Sequence, residues 1–399
     1  MKQEFIERAD RVMAATYKRF PIVFAKGRGC TLWDTDGRAY TDFVAGIAVC
    51  NLGHAHPRIA AALRGQADTL LHVSNLYYTI PQIELAEWLV KRSFADRVFF
   101  CNSGAEANEA AIKIARRYFK ERGESERFRI IAMENSFHGR TMATLSATGQ
   151  DKIKKGFDPV LEGFDFVPFN DAEALRAKIG PHTCAVLVEP VQGEGGVCCP
   201  DPEYLAAVRQ ICDEAGLLLM LDEIQTGIGR TGKLFAYEHF GIKPDVMTLA
   251  KALANGLPIG AMLAKEEVAS AFGPGSHAST FGGTPIVTTA ALAALNVLVE
   301  ENIIERGRTV GAYFKEKLAW LQNRHEVVAE VRGLGLLLGL KLKSDGAPVV
   351  TRCMQRGFLV NCIQDNILRF VPPLIITKEE VDALLGCLDE IFGDLSPTA

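Results

Sequence analysis

The sequence predicts an α/β protein built on a mostly parallel sheet covered by helices. Two observations carry this. Apolar runs of about four to six residues recur without alternation in "RVFFC", "RIIAM", "CAVLV", "LLLML" and "DVMTL", and such runs mark strands buried on both faces. Each run then gives way to a polar or glycine-rich turn and a helical stretch, the rhythm of βα units. At 399 residues the chain is long enough for two or three domains and a large core.

Taken in order, the start "MKQEFIERADRVMAATY" mixes charged and apolar residues like an amphipathic helix. Residues 20–46 hold two short strand-like runs joined by Asp-Thr-Asp-Gly, a hairpin signal. The five apolar runs follow. "TPIVTTAALAALNVLVEENIIERGRTVGAYFKEKLAWL" then reads as one or two long helices leading to "GLLLGLKL", "ILRFVPPL" and the closing helix "KEEVDALLGCLDEIF". The expected division is an N-terminal segment, 1–55, contributing to a small domain, a large domain at 56–300 and a C-terminal small domain at 301–399.

Composition narrows the function. Hydrophobic residues make 48% of the chain and charged residues 23%, ordinary for a globular protein. The net charge of −4 is spread without a basic block, so neither nucleic acid nor an anionic membrane is the expected partner. No apolar run reaches the length of a membrane span, and a cytoplasmic protein is expected. The 10 cysteines are scattered without a C-x-x-C pair and read as buried thiols.

Ligands of parallel sheets gather at the carboxyl ends of the strands, so the residues after each run are the candidates. Asn102-Ser103-Gly104-Ala105-Glu106 opens a helix. Free N–H groups there suit one phosphate group, although taken alone Ser103 and Glu106 read first as a capping box. Phe137-His138-Gly139-Arg140 brings a ring that can stack, an imidazole and a guanidinium that can grip a carboxylate. Glu194 lies in the loop "VQGEGG", and Asp222 ends an apolar run with Gln225 three residues on. Lys251 sits in "TLAKALA", surroundings that lower a lysine pKa and favour Schiff-base chemistry. Together these residues meet the needs of pyridoxal 5'-phosphate: a lysine for the aldehyde, a carboxylate for the ring nitrogen, an aromatic for the ring face and a helix N-terminus for the phosphate.

Three other chemistries fit less well. "LDEIQTGIGRTGKL" has the look of a nucleoside triphosphatase, but Leu234 stands where a magnesium-binding Ser or Thr belongs. No G-x-G-x-x-G follows an early strand, which argues against a dinucleotide enzyme. His54 and His56 lack an evident third ligand, and no metal is expected.

"NSGAEANEAAIKIAR", "SFHGRT", "VEPVQGEGG", "LDEIQTGIGRTG" and "STFGG" stand in the order found in the class III, fold type I pyridoxal-phosphate aminotransferases, which the chain resembles over almost its full length. The resemblance implies a homodimer with shared active sites and a smaller α+β domain from both termini. Lys251 would bond the cofactor and carry the proton. Asp222 would pair with the ring nitrogen, Gln225 would bond near the phenolic oxygen and Phe137 would stack. Ser103, Gly104 and Ala105 would bind phosphate, joined by Thr280 of the second subunit. Arg369 would hold the α-carboxylate of glutamate, with Glu194 its removable partner, while Arg140 would take the far carboxylate and Tyr17 would line the entrance. Thr284 replaces the family's usual asparagine.

Ile47 stands where related ornithine enzymes carry a tyrosine, and this favours a donor with a masked α-amine. The activity implied is transfer of the terminal amine of N2-acetylornithine to 2-oxoglutarate in arginine biosynthesis. Succinyl-diaminopimelate and 4-aminobutyrate are the close alternatives as donors. An aminomutase or racemase on the same cofactor would need no 2-oxoglutarate.

Overall fold

The computed structural model describes residues 2–395. An amphipathic helix, Lys2–Val12, precedes three antiparallel strands, β1 (Phe24–Arg28), β2 (Thr31–Asp34) and β3 (Ala39–Asp42). β2 and β3 form the hairpin that the Asp-Thr-Asp-Gly turn predicts, and Asp34 Oδ1 closes the turn by accepting the N–H groups of Asp36 and Arg38.

The central sheet has seven strands: β4 (Arg97–Cys101), β5 (Arg129–Met133), β6 (Phe164–Val167), β7 (Thr183–Val188), β8 (Leu218–Asp222), β9 (Val246–Leu249) and β10 (Gly260–Ala264). Their order is β4-β10-β9-β8-β7-β5-β6, and only β10 runs against its neighbours. Alternate residues of the apolar runs enter two separate cores. Ile131, Val186, Leu219 and Met247 join one, while Ile130, Ala185, Met220 and Val246 join the other with Ile114 and Phe119 of the helix Gly104–Glu121. Burial on both faces is why these strands do not alternate in the sequence.

The rhythm of strand, turn and helix fails at two places. β8 leads into turns and a short 3₁₀ helix, Ala236–His239, and β9 leads into one 3₁₀ turn, Lys251–Ala254. After β8 the buried Glu223 carboxyl accepts the N–H groups of Ala236 and Tyr237, which bends the chain back at the point where a helix would start. That bond also removes Glu223 from the metal-binding role a triphosphatase would give it. After β9 the backbone of Lys251 has φ +44°, incompatible with a right-handed helix. The chain returns antiparallel as β10, which needs no crossover helix.

Two long helices, Pro285–Glu300 and Ile303–Arg324, meet at a 66° bend. A second four-stranded sheet follows, made of β11 (Val328–Leu334), β12 (Leu337–Leu342), β14 (Asn361–Ile363) and β15 (Ile367–Phe370). Its companion β13 (Phe358–Leu359) leaves that sheet and pairs in parallel with β3, so the two ends of the chain build one smaller α+β part. Among the described residues no single helix is long and apolar enough to cross a membrane. The ten cysteines are free thiols, and six are buried.

One turn of the N-terminal part bears on the site. Ala45, Gly46, Ile47 and Ala48 all have positive φ, between 50° and 68°, a conformation costly for residues with a Cβ. Asp42 secures the turn: its Oδ1 accepts the N–H groups of Val44 and Ala45, and its Oδ2 lies 2.8 Å from His54 Nε2. The bond to Asp42, then one to Cys50, raises the His54 pKa to about 9 against the opposing effect of burial. A raised pKa means stability that is complete below the unfolded value near 6.5 and is lost as pH climbs through about 9. His54→Gln should therefore lower Tm by a few degrees at about pH 6, consistent with at most about 3 kcal/mol of linkage, and by little above about pH 9.5. Thermal unfolding at the two pH values checks this; a deficit that does not change with pH would contradict it.

Candidate active site

A cavity of about 490 Å³ lies at the carboxyl ends of the central strands. Of the residues expected from the sequence, Ser103, Gly104, Ala105, Phe137, Arg140, Glu194, Asp222, Gln225 and Lys251 all line it. They come from five strand ends far apart in the chain, brought together by the parallel sheet.

The β4 end is the anion-seeking one. Ser103 caps the helix Gly104–Glu121, its Oγ accepting the N–H of Glu106, while Glu106 Oε2 accepts the N–H of Asn102. Ser103 thus caps the helix as expected, while Glu106 reaches the N–H of Asn102 instead of closing the box on Ser103, and the first-turn N–H groups of Gly104 and Ala105 are left without intrahelical acceptors. Gly104 is required by space: a Cβ there would stand 2.8 Å from Ile224 Cδ1.

The β8 end carries the acid. Asp222 Oδ2 accepts from Asn108 Nδ2 and lies by His138 Nδ1, both at 2.8 Å, and its Oδ1 accepts the N–H of Ile224. Asn108 is held in turn by Thr248 Oγ1 and by the carbonyl of His138. His138 is buried, and its Nε2 has no hydrogen-bond partner. Arg140 is exposed, with its guanidinium 5.7 Å from the centre of the Phe137 ring.

Lys251 sits between these ends. Burial lowers its pKa below the usual lysine value, opposed by the charge of Glu194 and lowered further by Arg369, so more of the amine is neutral and nucleophilic at a given pH.

Arg369, on β15, is 1% exposed and is not among the residues lining the cavity. Its Nη1 pairs with Glu194 Oε1 at 2.5 Å. Gln225 spans the pair: Nε2 donates to Glu194 Oε1 and Oε1 accepts from Arg369 Nη1, each at 3.3 Å. The Gln225 side chain therefore faces the ion pair, which its expected place near a phenolic oxygen did not foresee. Burial works to raise the Glu194 pKa, but the charges of Arg369 and Lys251 outweigh it and hold the carboxyl below its usual range.

Besides Arg369, four positions singled out in the sequence lie outside the cavity. Tyr17 and Ile47 line a second cavity of about 700 Å³, which reaches Asn361, a hydrogen-bond partner of Arg369 Nε. Thr280 is exposed; its neighbour Ser279 accepts from Asn102 at the head of the phosphate-like end. Thr284 bonds Leu71 O and His72 Nδ1.

Sequence reasoning missed Asn108, Thr248 and Glu189. Asn108 is a lone amide in an alanine-rich helix. Glu189 is an acid closing an apolar run, as Asp222 is, and burial pushes its pKa up to about 7.

A family model described as aminotransferase class-III matches residues 12–392. The acetylornithine aminotransferase of Caldanaerobacter subterraneus subsp. tengcongensis is 52% identical over 381 residues, 95% of this chain and 97% of the relative. That of Methanocaldococcus jannaschii is 50% identical over 99% of this chain and 100% of its own. Among solved structures, the ornithine aminotransferase of Toxoplasma gondii superposes with a TM-score of 0.96 at 34% identity, covering 100% of this chain and 96% of that one. The acetylornithine aminotransferase of Elizabethkingia anophelis gives 0.88 at 32%, covering 98% and 99%.

Proposed function

The chain belongs to the class-III aminotransferases, and on that premise we propose that it transfers the terminal amine of N2-acetylornithine to 2-oxoglutarate in arginine biosynthesis. The products are N-acetylglutamate 5-semialdehyde and glutamate.

The cofactor is pyridoxal 5'-phosphate. The residues present fit it: the cavity offers a helix N-terminus, a buried acid, an amine of lowered pKa and an aromatic wall. When bound, the group supplies an electron-withdrawing ring that stabilises negative charge on the substrate carbon bearing the amine. Ser103, Gly104 and Ala105 would hold its phosphate, Asp222 would face its ring nitrogen, Phe137 would lie on its ring and Gln225 would reach toward its phenolic oxygen. Lys251 Nζ would hold its aldehyde end and, once free, would move the proton to and from the substrate carbon. Asn108 and His138 keep Asp222 oriented for its task.

The observation that carries the two-substrate reading is the ion pair of Arg369 and Glu194 beside Lys251. An amine donor with no carboxylate near the reacting carbon leaves that pair closed. Glutamate displaces Glu194 and takes Arg369 through its α-carboxylate, while Arg140 receives the far carboxylate of either substrate. Tyr17 lines the way in, and apolar Ile47 suits a donor whose α-amine is masked by an acetyl group. Steady-state kinetics test the donor: kcat/KM for N2-acetylornithine should exceed that for ornithine by at least about tenfold, the worth of one well-placed contact. Equal values would sink the acetyl-donor reading.

The working unit is a homodimer with shared sites. Leu76, Tyr77, Tyr78, Ile80 and Phe281 are all more than 60% exposed, a patch suited to burial against a second copy. Thr280 borders it and completes the phosphate site of the other subunit. Mixing Lys251→Ala protein with Thr280→Ala protein should then create hybrids with one intact site. In an equimolar mixture half the dimers are hybrids, so activity recovered toward about a quarter of the wild type would support sharing, whereas no recovery after subunit exchange would count against it.

A further inference from the structure

Glu189 is the buried acid for which the transamination chemistry has no evident use. It closes β7 and lies between two pieces of the site. Its Oε1 accepts the N–H of Phe137 at 2.8 Å, and its Oε2 accepts the N–H of Gly193 at 3.1 Å. Phe137 is the aromatic wall of the cavity. Gly193 is the residue before Glu194, so one carboxyl group ties the cofactor wall to the segment that bears the partner of Arg369.

That segment is tied together as a unit. Gln192 and Cys198 exchange two backbone bonds of 3.0 Å and close the loop between them. Gln192 Nε2 anchors its foot on Glu134 O, and Gln364 Nε2 holds Glu194 O. Gly193 has no room for a Cβ, which would meet Gln225 Oε1 at 2.2 Å. A shift of Gly193 is therefore felt by Gln225 and through it by Arg369.

We propose that Glu189 is a positioning residue that couples the cofactor cavity to donor selection: a ring seated against Phe137 fixes the 192–198 loop through Glu189, and the fixed loop holds Glu194 on Arg369. This rests on the pyridoxal-phosphate reading given above. The coupling needs an acceptor at each oxygen, because both partners are N–H donors. Burial raises the pKa of the carboxyl, the charge of His138 lowers it and that of Asp222 raises it, so its environment is set by the same residues that hold the ring-facing acid.

Glu189→Gln keeps the shape and replaces one acceptor by a donor, breaking one of the two ties. Hydrogen exchange of the 192–198 segment, read by mass spectrometry with and without pyridoxal phosphate, tests the coupling directly. In wild type the cofactor should slow exchange there by about fivefold or more, the worth of one hydrogen bond. In Glu189→Gln the cofactor should still bind, shown by its absorbance band, but leave loop exchange nearly unchanged. The ratio of KM for glutamate to KM for N2-acetylornithine should also fall by about fivefold with kcat less affected, because a freer Glu194 yields Arg369 more readily.

Wild-type protein that binds the cofactor without any protection of the loop would overturn the coupling while leaving the cofactor reading intact, and this half of the test needs no variant. Full protection retained in Glu189→Gln would overturn it equally. Wild-type protein that binds no pyridoxal phosphate would instead bring down the cofactor reading, and the coupling with it.

Discussion

Lys251→Ala should lower turnover by about four orders of magnitude or more, because in the proposed mechanism one amine serves as both the covalent anchor and the proton carrier. The site favours that amine in two ways. Burial lowers its pKa, so the neutral form is present closer to physiological pH, and the positive φ at Lys251 turns the chain out of a helix at that residue. The variant should lose the absorbance band of the lysine-bound cofactor while keeping phosphate-end affinity, since Ser103, Gly104 and Ala105 belong to another element. Its Tm should not fall, because removing a buried amine removes a desolvation cost. Rate assays, spectra and thermal unfolding separate these effects. Full activity in the folded variant would refute the assignment of Lys251.

Glu194→Ala should invert donor preference. Arg369 is almost fully buried, and the ion pair to Glu194 is the salt bridge it makes among the described residues. Removing the carboxylate leaves a buried guanidinium with Gln225 Oε1 and Asn361 Oδ1 as its remaining side-chain acceptors, and an uncompensated buried charge costs about 3–5 kcal/mol. A glutamate α-carboxylate restores the balance, whereas an amine donor without one does not. The ratio of kcat/KM for glutamate to that for N2-acetylornithine should rise by one to two orders of magnitude, roughly half of that cost appearing in discrimination. Half-reactions run separately measure it, and an unchanged ratio would remove the Glu194 switch from the account.

The fold and the outline of the site were legible because the sheet is parallel. Buried strands write themselves as unbroken apolar runs, and each run ends at the ligand-binding edge, so Ser103, Phe137, Glu194, Asp222 and Lys251 could be found by looking just beyond them. The supports were harder to read. Asn108 lies inside a helix and Thr248 inside a strand, where one polar residue among apolar neighbours has no local signature of its distant partners, 114 and 140 positions away along the chain for Asn108. The absence of helices after β8 and β9 was hidden for a similar reason. Glu223 bends the chain through bonds to residues 13 and 14 positions onward, beyond the reach of helical periodicity. Gln225 shows the other limit: its motif suggests the ring, but only the approach of β15 reveals that its side chain spans Glu194 and Arg369.

The central claim is that one lysine-centred cavity accepts a free ω-amine on a donor whose α-amine is acylated and alternates it with glutamate. The most direct measurement is the visible spectrum of the cofactor-loaded protein as N2-acetylornithine, 4-aminobutyrate and ornithine are added in turn without any keto acid. The account predicts that N2-acetylornithine bleaches the lysine-bound cofactor band much faster than the other two, and that 2-oxoglutarate then restores it. A band that answers equally to all three amines, or that 2-oxoglutarate fails to restore, would contradict it.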